Sequence, residues 1–364
     1  MQRRASSNED TTEIHENEFL CRNHKNDFAF LFVAMLKDCA KKKDICKGSR
    51  LHAHILKKGL LEKSPYLASS LINMYAKCGM LINAQKILRD ISIRDVVCWN
   101  ALITGYVEQR QFQKAVDCMK SMVSEGISPN VVTFICILKA CGSTGAIAKG
   151  KEIHDEIVNR GFLLKDITIG TSLVDMYAKC GALGKAQQVL EELPVRDVVA
   201  WNAMISGYAQ QKQGEVALSC FQWMQNEAIC PDKITFLSIL SACNHMARSD
   251  VAETLFGYMS MGYGLVPDLE HHTCMVVAFG CSGHFDKAIS VINAMPCAQF
   301  AAVWIALLGG CRKWGNVELA RVAFDQALQL EYNCGAAYVL MANIFAAAGM
   351  HDDKEKVEAM RLGI

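Results

Sequence analysis

The phrase DVVCWNALITGY at residues 95–106 returns as DVVAWNAMISGY at 197–208, identical at nine of twelve places and displaced by 102 residues. A second phrase, SLINMYAKCGML at 70–81, returns as SLVDMYAKCGAL at 172–183 with the same offset. Self-similarity at a fixed period marks a repeat array, whose short units bury their apolar faces only against their neighbours. The boundaries within such a chain are repeat boundaries.

The period is compound, because each 102-residue block divides into three related units of 35, 36 and 31 residues. In the unit 96–130, Trp99, Ile103 and Tyr106 form one apolar stripe at helical spacing, and Ala115, Met119 and Met122 form another after a polar break. Gly126 and Pro129, in EGISPN, stop the second helix. This predicts two helices of about three turns each. Carried along the chain, the register gives units at 29–64, 65–95, 96–130, 131–166, 167–197, 198–232, 233–268 and 269–300. With only 6 prolines and many Ala, Leu, Lys, Glu and Gln, the chain is expected to be all-α. Residues 1–28 are polar and aperiodic, the signature of a disordered leader.

A formal net charge of +1 argues against an indiscriminate, strongly basic nucleic-acid binder, while leaving local basic stripes free to meet phosphates. The longest apolar run, FAAVWIALLGGC at 300–311, has 12 residues, short of the roughly 18 that a spanning helix needs. The 17 cysteines contain no CxxC pair, and Cys39, Cys141 and Cys243 recur 102 residues apart, as do Cys78 and Cys180. Such cysteines read as small apolar fillers between helices in a reducing compartment, and no metal or cofactor is expected. The N-terminus opens MQRRASS but turns acidic at Glu9, Asp10, Glu13, Glu16 and Glu18, which is not the composition of a transit peptide.

A 35-residue helix-turn-helix that carries VVxWNALIxGY, ends in GxxP[ND] and alternates with MYAKCG units resembles the plant pentatricopeptide repeat proteins, in their PLS subclass. The resemblance implies a right-handed α-solenoid superhelix. It makes 96–130 and 198–232 P units, 29–64, 131–166 and 233–268 L units, and 65–95, 167–197 and 269–300 S units. Residues 301–334 and 335–364 resemble the tetratricopeptide-like E1 and E2 extensions of that subclass, apparently truncated, with no deaminase domain following.

Repeat RNA-binding proteins give one unstacked base to one helical repeat, read by two or three side chains. The resemblance places the readers at the fifth and last residues of a unit and a base-sandwiching side chain at the second. It implies Asn100 with Asn130 and Val97 in the first P unit, and Asn202 with Asp232 and Val199 in the second. The S units offer Ser69 with Asp95, Thr171 with Asp197, and Thr273 with Phe300, the last departing from the family's Asp or Asn. An ionised Asp only accepts hydrogen bonds, which suits uracil or guanine. Asn with Asn implies cytosine or uracil, Asn with Asp uracil, and a hydroxyl with Asp guanine. Ile135 and Leu237 at the fifth place make the L units spacers. The expected RNA, 5′ to 3′, is G, pyrimidine, any, G, U, any, purine. Taken singly, Asn100 and Asn202 read equally well as local helix caps, whereas Trp99 and Trp201 sit on the packing stripe.

A zinc deaminase site needs H-x-E and P-C-x-x-C. HDE at 154–156 falls inside an L unit, PCAQF at 296–300 has Phe300 where the second cysteine belongs, and HHTC at 271–274 has no partner cluster. No catalysis is expected from the chain itself. The resemblance implies an RNA-binding factor of a mitochondrion or chloroplast that specifies C-to-U editing sites and recruits a deaminase in trans. The alternatives are an RNA stabilising or processing factor and a protein-binding scaffold. Loss of RNA affinity on Asn202→Ala, with no change of fold, would separate RNA from protein partners.

Overall fold

The structure, a computed structural model, describes residues 29–61, 64–163, 165–295 and 300–362. The leader 1–28, most of the PCAQF phrase and the last two residues lie outside these. Every regular element among the described residues is a helix. Helix α1 covers 29–42, and the first L unit closes with α2 (Ile45–Lys57). Then come α3 (Pro65–Lys77), α4 (Leu81–Asp90), α5 (Val96–Glu108), α6 (Phe112–Ser124), α7 (Val131–Thr144), α8 (Ile147–Asn159), α9 (Ile167–Lys179), α10 (Leu183–Glu192), α11 (Val198–Gln210) and α12 (Gly214–Asn226). The chain finishes with α13 (Lys233–Met246), α14 (Ser249–Tyr263), α15 (Leu269–Cys281), α16 (Phe285–Ala294), α17 (Ala301–Trp314), α18 (Val317–Leu330), α19 (Gly335–Ala347) and α20 (His351–Leu362).

The chain divides into two compact units, Met1–Ser172 and Leu173–Ile364, each an all-α stack of helix pairs. In the first, the leading helices of successive pairs, α3, α5 and α7, pack side by side, and α4 and α6 back onto them. In the second, α11, α13, α15, α17 and α19 form the same kind of layer, backed by α12, α16, α18 and α20. Leading helices are therefore flanked on two sides, and their hydrophobicity follows. Trp99 and Trp201 keep 6% and 4% of their surface, and Ile103, Ile205, Phe134 and Phe236 are fully buried. The back helices are more sharply amphipathic because one face meets water.

Each pair turns on a left-handed residue, as at Arg110 (φ +57°) between α5 and α6, and Gly126 (φ +79°) follows α6 as the stop that EGISPN predicts. Adjacent leading helices approach closely at small residues in a recurring register. A Cβ on Gly105 would lie 2.5 Å from Ala76 Cβ, and one on Gly207 would lie 2.9 Å from Ala178 Cβ. One on Gly310 would lie 2.7 Å from Gly280 Cα. The third case matters most: α17 of the terminal region docks on the preceding S unit as α5 and α11 do. One apolar core, from Leu240 and Cys243 through Phe279, Leu307 and Phe324 to Val357, joins the last repeats to the terminal helices.

The cysteines follow the packing reading. Cys39, Cys141 and Cys243 are buried, and burial pushes the thiols of Cys98 and Cys220 up to about 12 and those of Cys118 and Cys243 up to about 11. A thiol held protonated is a poor nucleophile and a poor metal ligand. At pH 8, iodoacetamide is therefore expected to modify the exposed Cys46 and Cys230 of the native protein first among the cysteines of the described residues. Cys98, Cys118, Cys220 and Cys243 should react only on denaturation, as read by peptide mass mapping. The helix contact gives a second test. Gly310→Ala, whose methyl meets backbone, should cost about 1–3 kcal/mol in a denaturation measurement. Gly309→Ala, which meets nothing within 4 Å, should be neutral or stabilise by up to about 1 kcal/mol.

Candidate functional site

The leading helices α5, α7, α11, α13 and α15 each start on a side-chain oxygen, and in each the capping residue is the last residue of the preceding unit; α3, α17 and α19 start without one. Asp95 accepts from Cys98 N at 2.8 Å and Asp197 from Ala200 N at 2.8 Å. Asn130 and Asp232 form capping boxes with Thr133 and Thr235, and Asp268 accepts from Glu270 N at 3.1 Å. A short polar side chain at this place satisfies N–H groups that the helix leaves open. The sequence put the capping alternative on Asn100 and Asn202; the structure puts it on their partners.

The P-unit residues expected to read a base are brought together. Asn100 Nδ2 donates to Asn130 Oδ1 at 3.0 Å, and Asn202 Nδ2 donates to Asp232 Oδ1 at 3.0 Å. Both asparagines are buried, at 8% and 5% exposure, while Asn130 and Asp232 are partly exposed. Asn202→Ala therefore removes a buried hydrogen-bonded amide as well as any base contact, a loss of about 1–3 kcal/mol. Its effect on binding cannot be separated from stability as the sequence reading assumed.

The third participants are residues the sequence reading missed. Thr133 Oγ1 donates to Asn100 Oδ1 at 2.7 Å, and Thr235 Oγ1 donates to Asn202 Oδ1 at 2.6 Å. Among the described residues six polar side chains are buried: Asn100, Thr133, Thr171, Asn202, Thr235 and His271. Each is the third or the fifth residue of a unit. The 102-residue recurrence of Thr133 in VVTF and Thr235 in KITF was a signal available in the sequence.

The S-unit residues expected to read a base are held differently. Ser69 Oγ donates to Tyr66 O at 3.2 Å, Thr171 Oγ1 to Ile167 O at 3.1 Å and Thr273 Oγ1 to Leu269 O at 2.7 Å, each within its own helix. Phe300 is 44% exposed at the start of α17 and makes no cap. His271 of HHTC has both ring nitrogens against protein oxygens, Nδ1 at 2.5 Å from Asp268 Oδ1 and Nε2 at 2.9 Å from Lys233 O. That engagement leaves it no nitrogen for a metal. HDE lies within α8.

Val97 and Val199 are 54% and 55% exposed, unusual for valines that begin such buried helices. The other apolar second-place residues are exposed too, Phe30 at 71%, Tyr66 at 74%, Val132 at 50% and Ile234 at 59%, while the units 167–197 and 269–300 carry the exposed but polar Thr168 and Glu270 there. The first three units form a cavity of about 390 Å³ whose lining includes Tyr66 and Val97, with Ser69, Asn73, Asn100 and the exposed Lys37. Apolar second-place side chains thus stand around polar fifth-place ones, a slot suited to a planar ring with polar edges. Tyr66, at the second place of the S unit 65–95, is a residue that the resemblance did not single out.

Known proteins resemble this chain in sequence and in fold. Models of the PPR repeat family match residues 94–143 and 196–245, the PPR repeat matches 67–96, 171–198 and 270–300, and the E motif matches 314–361. A mitochondrial pentatricopeptide repeat-containing protein of Arabidopsis thaliana is 35% identical over 322 residues, 88% of this chain and 58% of that protein. The chloroplastic protein CRR2 of the same plant is 34% identical over 337 residues, 91% of this chain and 51% of that protein. The chain thus spans little more than half the length of these relatives. The crystal structure of PPR10 from maize covers 87% of this chain and 46% of its own, at 21% identity and a TM-score of 0.66. PPR10 in complex with an 18-nt psaJ RNA element gives 0.71 at 20% identity, over 87% of this chain and 48% of its own. No described helix is long and apolar enough to cross a membrane. Two triplets in one register, an E motif behind them and plant relatives along nine-tenths of its length make this chain a member of the pentatricopeptide repeat family, of the PLS type with an E motif.

Proposed function

We propose that this chain binds single-stranded RNA sequence-specifically in a mitochondrion or chloroplast and specifies sites of C-to-U editing. A deaminase would be recruited in trans through the terminal helices, and the chain itself supplies the address. The reading keeps P units at 96–130 and 198–232, S units at 65–95, 167–197 and 269–300, L units between them and the terminal extension from 301. The observation that carries it is the pairing of Asn100 with Asn130 and of Asn202 with Asp232 beside the exposed Val97 and Val199. Polar edges and apolar faces are what a splayed-out base needs. PPR10 with its bound RNA element supports the same ligand class, and the E motif supports editing over a bare scaffold.

In this reading Ser69 with Asp95 and Thr171 with Asp197 take guanine, and Thr273 takes a purine. The L units, whose fifth residues Ile135 and Leu237 are apolar, hold a base through Val132 and Ile234 without selecting it.

In an equilibrium gel-shift or anisotropy titration, an oligomer with G, pyrimidine, any, G, U, any, purine should bind tighter than its scrambled form. Equal affinities sink the register, and absent RNA binding sinks the function. Asp232→Asn, which keeps the cap and the shape, should weaken binding of the U-bearing oligomer about tenfold by replacing an acceptor with a donor. Comparing organelle transcripts with and without the protein completes the test. Unedited cytidines 3′ of the bound element support editing, and altered transcript ends favour processing instead.

A further inference from the structure

At the second, fifth and last places the two P units differ at one residue, Asn130 against Asp232, yet the hydrogen bonds around that residue are the same. We infer that Thr133 and Thr235, each the third residue of the following L unit, are positioning residues that set which polar groups the P units turn toward a base. The inference rests on the RNA-binding reading above.

The argument is a count of protons. A threonine hydroxyl has one proton to donate. Thr235 Oγ1 lies 2.6 Å from Asn202 Oδ1 and 3.0 Å from Asp232 Oδ1, while it accepts from Asp232 N at 3.0 Å. The shorter contact takes the proton. Thr133 repeats the pattern at 2.7 Å to Asn100 Oδ1, 3.1 Å to Asn130 Oδ1 and 3.2 Å from Asn130 N. The fifth-place amide is therefore fixed with its oxygen inward. Turned over, its oxygen would face the cap's Oδ1, acceptor against acceptor.

With the amide so held, Asn202 Nδ2 gives one proton to Asp232 Oδ1 and keeps one N–H free. Asp232 Oδ1 also receives Thr235 N at 2.9 Å, so the remaining oxygen, Oδ2, is the open acceptor. The unit 198–232 then presents one donor and one acceptor, which matches the N3–H and a carbonyl of uracil. In the unit 96–130, Asn130 Oδ1 is filled by Asn100 Nδ2 at 3.0 Å and Thr133 N at 3.1 Å, leaving the Asn130 Nδ2 hydrogens outward. That unit presents donors alone. Cytosine, with acceptors at N3 and O2, fits; uracil places an N3–H against an N–H. The pyrimidine expected at this place is thereby narrowed to cytosine.

The hydroxyl is confined to P-to-L junctions. After the S units the third residue is Cys98 or Ala200, and neither can donate as threonine does.

The experiment uses the full chain with RNA pairs that differ by one base, U or C, at the place read by 198–232 or at the place read by 96–130. Wild type should prefer U at the first and C at the second, each by about tenfold. Thr235→Val should reduce the first preference to about twofold or less and leave the second intact. Thr235→Ser, which returns the hydroxyl, should restore it. Thr133→Val should do the converse, and carries the test alone if Thr235→Val does not fold. A preference that survives removal of the hydroxyl overturns the inference, as does equal loss at both places, which marks a merely structural role. A wild type that prefers U at the place read by 96–130 overturns the donor-only assignment. A wild type that binds no RNA overturns the ligand class, and this inference with it.

Discussion

The interaction on which the rest of this structure depends is a helix cap. Asp95, Asn130, Asp197, Asp232 and Asp268 all sit with extended backbone, φ between −103° and −112°, and direct a side-chain oxygen at the opening turn of the next leading helix. One residue thereby ends a unit and starts the next. The demands of capping, a short side chain with a hydrogen-bonding oxygen, and those of the proposed base reading fall on the same atom group. Where Phe300 takes that place before α17, no side-chain cap forms. There the polar series ends and the terminal extension begins.

The second consequence is where buried polarity resides. Burying an amide or hydroxyl without a partner costs several kcal/mol, so a stack of apolar helices tolerates such groups only in closed networks. Asn100 with Thr133, and Asn202 with Thr235, are two such networks, each closed through the cap. At Asp268 the third residue is His271, and with Leu237 at the fifth place it bonds instead to the backbone of Lys233. The polar contacts thus follow the unit type.

Much of the fold was legible because it is periodic. The apolar stripes at Trp99, Ile103 and Tyr106 and at Ala115, Met119 and Met122 are buried as their spacing implies, and Gly126 ends α6 with positive φ. The site was legible only in outline. Asn100 and Asn130 were paired by resemblance, but nothing in their spacing says which of them caps a helix. Tyr66 was overlooked because its exposed ring becomes meaningful only beside Val97, 31 residues away. Thr133 looked like an ordinary residue of a first turn. Its hydroxyl matters because the neighbouring helix brings Asn100 within 2.7 Å.

The sequence by itself determined the period of 102 residues, the unit lengths, the helical class and the residue types available to face a ligand, since each is a local or repeating property of the chain. Tertiary structure decided what depends on two helices meeting. That includes the contact of Gly310 with Gly280, which seats the terminal extension as a P unit is seated on an S unit. It also includes the orientation of the Asn100 and Asn202 amides. A carboxamide has a donor end and an acceptor end, and only the hydroxyl of the next unit, brought close by packing, chooses between them.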